Sequence, residues 1–196
     1  SDQVAVLDFK VMEDMRAHYK LITRSRRGPP DGMEPTAEQM STLCALLRET
    51  SAPYTDFALW GPNGNRTLRK ILATGLMFGA DGTLQRLSYS GPRSFEQWKV
   101  CWKVYEVAMI MANAATPPVL TAYAAHVESM AKQFGPSCWA VLYQAENRFR
   151  RERLEYLRRK ESDALNVSIA AGSVTGFDPR MPWERCYDIA PDQFHW

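Results

Sequence analysis

The stretch SFEQWKVCWKVYEVAMIM, residues 94–111, decides how this sequence is read. Phe95, Trp98, Trp102, Tyr105, Met109 and Ala112 recur at alternating steps of three and four, which is the narrow seam of a packed helix. Val100, Val104, Val107, Ile110 and Met111 make its other faces apolar too. A helix that is apolar nearly all round belongs at the centre of a domain rather than on its surface. Ser94 and Gln97 have the spacing of a capping box and mark its start. Aromatic side chains in such a row can stack on bases, but core packing is the simpler use of this spacing.

Upstream of this helix the pattern changes. DFALW (56–60), ILATGLMF (71–78) and TLQRLSY (83–89) are short apolar or β-rich runs set off by the turn formers GPNGN and GADG. They predict a small antiparallel β-meander near 54–90, with Asp81-Gly82 as its clearest hairpin turn and RTLRK (66–70) readable as strand or helical turn. GPNGNR lacks the lysine of a phosphate-binding loop and reads as a plain turn. Thr36 and Gln39 form a second capping box, opening a helix with Met40, Leu43, Leu46 and Leu47 inside. Residues 4–24 predict an amphipathic helix with Val4, Leu7, Val11, Met15, Tyr19 and Ile22 as its apolar stripe and Arg16, Lys20 and Arg24 on another face. RSRRGPPDG, 24–32, ends that helix and reads as a linker.

Downstream, Thr116 and Pro117 open a helix that stops at Gly135, and Pro136 opens the last long one. Cys138, Leu142, Ala145, Phe149 and Tyr156 predict its buried stripe, interrupted near Glu152 and Arg153. The tail from 162 is broken by proline and glycine yet carries Phe177, Trp183, Tyr187, Phe194 and Trp196. So much aromatic area has no reason to stay in water, so this arm is expected to dock on a protein surface, its own or a neighbour's. The resulting expectation is a mainly helical α+β chain, a helical bundle with a small antiparallel β-meander. It divides into an N-terminal helix at 1–27, a main domain at 34–161 and an aromatic arm at 162–196.

Charge is concentrated in one place. Between Arg148 and Lys160 lie seven cations and two carboxylates, so this strip carries +5 while the rest of the 196-residue chain carries −3. Arg148, Arg150, Arg151, Arg153, Arg158, Arg159 and Lys160 are therefore the candidate nucleic-acid-binding residues. Six of the seven are arginine, the side chain suited to bidentate phosphate contacts. Glu152 and Glu155 can pair locally with these cations at helical spacing, so a solvated, internally paired helix is the competing reading.

Several classes find no support. Cys44, Cys101, Cys138 and Cys186 are scattered, no CxxC pair exists, and His18, His126 and His195 stand apart, so no metal-ligand spacing is present. Unpaired thiols in an intracellular setting are expected, and no cofactor motif is found. The N-terminus shows neither a signal pattern nor an initiator Met, which reads as a piece of something longer. The most apolar run, VAMIMANAA (107–115), is far shorter than the ~20 residues of a membrane span, so no membrane partner is expected. No hydrolase, zinc-protease, dinucleotide or Walker signature occurs. Asp56, Glu96, Glu106 and Glu146 could form an acid–base pair only through tertiary geometry.

The segments EPTAEQM, YTDFALWGPNGNR, GPRSFEQWKVCWKVYEVAMIM, CWAVLYQAENRFRRE and FDPRMPWE together resemble a family of repetitive, retroelement-like open reading frames of dinoflagellate algae. The resemblance spans roughly 34–196 and is most distinctive in the tryptophan-rich helix and the FDPRMPW arm. It implies a Gag-like block placed upstream of Cys/His-rich knuckles, with no catalytic residue to carry over. The β-meander departs from a typical capsid domain. The reading is thus a non-catalytic structural module that associates with RNA or DNA or assembles with other chains, itself included. The alternatives are an accessory subunit docking through its arm and, third, an enzyme whose site only the fold assembles.

Overall fold

A computed structural model describes residues 6–62, 72–170 and 183–193. The architecture is mainly helical α+β: helices α1 (Phe9–Thr23), α2 (Ala37–Arg48), α3 (Phe95–Met111), α4 (Pro117–Phe134), α5 (Trp139–Arg148), α6 (Leu154–Ala170) and α7 (Glu184–Gln193) are joined by one antiparallel hairpin, β1 (Leu72–Phe78) and β2 (Leu84–Ser90), which packs on α5.

α3 is the axis. From Val104 to Met111 every side chain is buried, and Trp98 and Trp102 lie stacked with ring centroids 5.1 Å apart. Tyr123 of α4 and Tyr187 of α7 pack on Trp102, and Phe57 meets Trp98, Trp102 and Tyr105 edge-on or tilted. Of the predicted seam, Trp98, Trp102, Tyr105 and Met109 are buried in the core and Phe95 and Ala112 pack against it half-buried, while Val100, expected on another apolar face, is 38% exposed. The Thr36–Gln39 capping box is complete, each side chain accepting from the other's backbone N; at Ser94 the hydroxyl accepts from Gln97 N, but the Gln97 side chain accepts from Arg93 N instead, so the second box is only half formed.

The meander contracts to one hairpin. Leu72 pairs with Ser90 and Phe78 with Leu84, about a turn at Gly79–Thr83 closed by Gly79 N donating to the Thr83 carbonyl at 2.7 Å. DFALW is not a strand. The Asp56 carboxylate accepts from Ala58 N at 2.9 Å, and the Asp56 carbonyl accepts from Leu59 and Trp60, so the run coils into a turn that buries Phe57 and Trp60. RTLRK lies outside the described residues.

α1 packs on α3, and Leu7 N, just ahead of it, donates to Ser41 Oγ of α2 at 2.9 Å. The buried side chains of α1 are Met12 and Tyr19, with Leu7 and Met15 partly covered, while Val11 and Ile22 sit at the exposed edge. Val4 lies outside the described residues. Pro136 opens a single 3₁₀ turn rather than the long helix, and α6 continues past 161 to Ala170. Part of the expected arm belongs to the core: Trp183, Cys186, Tyr187 and Ala190 of the α7 region are fully buried.

Candidate nucleic-acid interface

The basic strip lies on a helix with a fault in it. α5 passes into α6 without a break through a π-helical turn, Phe149–Arg153, closed by Leu154 N donating to the Phe149 carbonyl. The cause is visible in the apolar spacing. Phe149, Leu154 and Leu157 must all reach the core, and the step of five from 149 to 154 is one residue too long for an α-turn. The π turn absorbs the extra residue. This is the interruption that the sequence places at Glu152 and Arg153.

The turn also settles where each cation points. Arg150 is buried to 0% exposure and is withdrawn from the strip. Its Nε and Nη2 donate to the two Glu146 carboxylate oxygens at 2.5 and 3.2 Å, and Nη1 donates to the Thr55 carbonyl at 2.8 Å. The guanidinium lies 3.7 Å from the centroid of Phe57 and is flanked by Tyr54 and Tyr105. Burial acts against its charge, but Glu146 outweighs that, and the pKa is raised above its already high value. Arg150 thus fastens the 53–60 turn to α5 and cannot reach a phosphate.

The rest of the strip stays outside to different degrees. Arg148, Arg151, Arg159 and Lys160 are exposed, with Arg148 donating to Glu152 at 3.1 Å across one turn. Arg153 is half-buried, its guanidinium 4.4 Å from the Tyr156 ring. Tyr156, expected in the buried stripe, is 45% exposed because the π turn shifts the face by one residue. Arg158 faces α7, 5.9 Å from the Trp183 ring. The surface that remains is Arg148, Arg151, Arg153, Arg159 and Lys160 with one accessible aromatic ring, diluted by Glu152 and Glu155. Neither the Arg150 withdrawal nor the Tyr156 exposure has a signal in linear spacing; Glu146 four residues before Arg150 is the one available hint.

Of the predicted protein-interaction residues, Trp183 and Tyr187 are turned inward and serve the chain itself. The Tyr187 and Tyr105 hydroxyls are 2.6 Å apart, and Tyr105 donates to the Pro53 carbonyl at 2.9 Å. Glu184 accepts from Thr116 N and Thr116 Oγ1, both at 2.6 Å, so the first carboxylate of α7 caps the N-terminus of α4. Phe177, Phe194 and Trp196 lie outside the described residues.

Three of the four candidate carboxylates are already engaged, and the fourth, Glu96, is exposed in the first turn of α3. Glu146 holds Arg150, Asp56 holds its own turn, and Glu106 accepts from Lys103 at 2.9 Å and from Thr121 at 3.3 Å. Glu106 sits on a groove of about 430 Å³ between α3 and α4, floored by Phe95, Val100 and Trp102 with Lys99 and Glu128 on its rim. His126 of α4 is held below its ordinary pKa by burial, with Asp192 of α7 acting the other way. Among the described residues, no three His, Cys, Asp or Glu side chains cluster as metal ligands, and no helix is long and apolar enough to cross a membrane.

No protein-family profile, curated protein or solved structure matches the chain.

Proposed function

We propose that this chain is a non-catalytic structural module that holds the phosphate backbone of RNA or DNA along the outer face of α5 and α6. The observation that carries the reading is the outward set Arg148, Arg151, Arg153, Arg159 and Lys160, displayed beside the exposed ring of Tyr156 on a helix anchored by the buried Glu146–Arg150 pair. Phosphate contacts would give affinity without sequence preference, and a ring over which a base can stack is sequence-tolerant as well. The resemblance to Gag-like reading frames supports the same structural role, within an intracellular setting and with no membrane partner. In a salt titration of labelled single-stranded RNA, Arg151→Ala/Arg159→Ala/Lys160→Ala should weaken binding to all sequences alike. Unchanged affinity would leave only a solvated helix.

A second reading, assembly with other copies, is favoured by the hairpin. Leu76, Phe78 and Leu84 share its outward face and are 40%, 66% and 61% exposed. Phe78→Lys should reduce any self-association seen by light scattering; a mass that is monomeric at all concentrations rejects this reading.

A further inference from the structure

The turn that follows α1 carries a second positive patch that the α5–α6 reading does not use. Lys20, Arg24, Arg26 and Arg27 fall within eight residues, and all four are exposed. Between Met15 and Met33 the only acidic residue is Asp31. The neighbouring carboxylates, Glu13 and Glu34, both accept from Arg16 and are therefore spent. Among the described residues, no carboxylate lies within ion-pair distance of any of the four cations.

The patch is displayed by a built turn. Arg24 takes the left-handed conformation that ends α1, with φ 55°. The Ser25 hydroxyl donates to the Gly28 carbonyl at 3.1 Å, and Gly28 is buried against Lys20 at φ 88°. Pro29 and Pro30 stiffen the backbone beyond Gly28, and Met33 N closes on the Pro30 carbonyl at 3.0 Å. A cation in the last turn offsets the helix dipole, which accounts for Lys20 but not for Arg26 and Arg27 beyond the helix end.

The contrast with α5–α6 decides the assignment. There Arg148 must leave Glu152, and Arg153 must leave Tyr156, before either meets a phosphate. In the α1–α2 turn, no ion pair among the described residues has to be displaced. Three of its four cations are arginines, able to grip a phosphate bidentately. A bilayer surface fits less well: Met12, Met15 and Tyr19 of α1 are committed to the core, and the apolar side chains that α1 leaves exposed, Phe9, Val11, Leu21 and Ile22, sit at its two ends rather than in one continuous stripe.

We infer that Lys20, Arg24, Arg26 and Arg27 form a second phosphate-binding patch for the backbone of a single-stranded nucleic acid, and that it contributes more to affinity than α5–α6. The inference rests on the reading that the chain binds a phosphate polymer, but it assigns the grip to different residues. Anisotropy of a labelled oligouridylate across a salt series separates the two, using Arg24→Asn/Arg26→Ala/Arg27→Ala against Arg151→Ala/Arg159→Ala/Lys160→Ala. Asn at 24 tolerates the left-handed backbone, and a thermal melt of each variant confirms folding. Loss of three contacts at about 0.7 per contact should flatten the log–log salt slope by about 2 and weaken binding roughly 100-fold at ~0.1 M salt. The α5–α6 variant should lose less. If the turn variant keeps wild-type affinity and slope while the α5–α6 variant loses both, the inference is overturned and the original reading stands. If the wild-type chain ignores oligouridylate yet binds vesicles of phosphatidylcholine and phosphatidylserine in equal parts through these residues, the assignment to nucleic acid is overturned instead.

Discussion

Arg150 shows how far one residue's role depends on its surroundings. Its neighbours in sequence, Arg148 and Arg151, are exposed, while Arg150 holds a carboxylate in an interior of aromatic rings. Two charges out of water are costly unless each satisfies the other, so removing one partner should be far worse than removing both. Arg150→Met strands Glu146 and should lower stability by about 3–5 kcal/mol in urea unfolding. Glu146→Leu/Arg150→Met should recover much of that loss, and a double variant as unstable as the single one would deny the pairing its importance. The thiols divide in the same way. Burial pushes Cys101 up to about 11 and Cys186 up to about 12, and raises Cys44, whereas Cys138 is half-exposed. Because the thiolate is the reactive form, alkylation of the native protein near pH ~8 should modify Cys138 alone, and all four thiols should react in denaturant. Early labelling of Cys101 or Cys186 would mean the core opens there.

At the scale of elements, the hairpin is held by a contact that only glycine permits. A Cβ on Gly75 would stand 2.1 Å from the Ala140 Cβ, so β1 lies directly on α5. Gly75→Ala should cost about 1–3 kcal/mol by overpacking, and Ala140→Gly added to it should restore the melting temperature. If the pair shows no coupling, the strand does not rest on that helix. Gly91, at φ 147° with its Cβ position 2.1 Å from the Tyr143 ring, sets the turn from β2 towards α3 in the same way. These close approaches are invisible to sequence patterns, which register periodicity and turn chemistry but not which glycine faces a neighbour. α3, the Thr36–Gln39 capping box, the Ser94 N-cap and the Asp81-Gly82 turn obey local rules and are legible in the sequence for that reason. DFALW misleads as a strand because its apolar run is satisfied by one turn around Asp56 and by Arg150, 94 positions beyond Asp56. The basic strip is legible as charge, but its true face depends on a π turn that only the core packing of Phe149, Leu154 and Leu157 demands.

For the molecule as a whole, α7 completes the core. Ending the chain at residue 182 uncovers Trp102, Tyr105 and Tyr123 and removes the Glu184 cap from α4. The truncated protein should melt at a clearly lower temperature with its mass in solution unchanged. A melting temperature equal to that of the full chain would show that α7 is dispensable. Alkali should act through the same cluster. Burial raises the phenols of Tyr105, Tyr123, Tyr143 and Tyr187 above their ordinary value. An unfolded tyrosine ionises near pH ~10, so the stability these four supply is complete below that and is lost as pH climbs above it. Their absorbance near ~295 nm should therefore appear together with unfolding, and a separate early ionisation would place one of them in water.

The contact between Tyr105 and Tyr187 also sets a schedule. The two residues are 82 positions apart in the chain, and the rings they join close the centre of the fold. On a ribosome adding ~5–20 residues per second, α3 is made roughly 4–16 s before the helix that covers it. Through that interval Trp102 and Tyr105 lack Tyr187 on one side, so the nascent chain exposes aromatic surface, and its loss to aggregation during synthesis should depend on translation speed as well as on the stability of the finished protein.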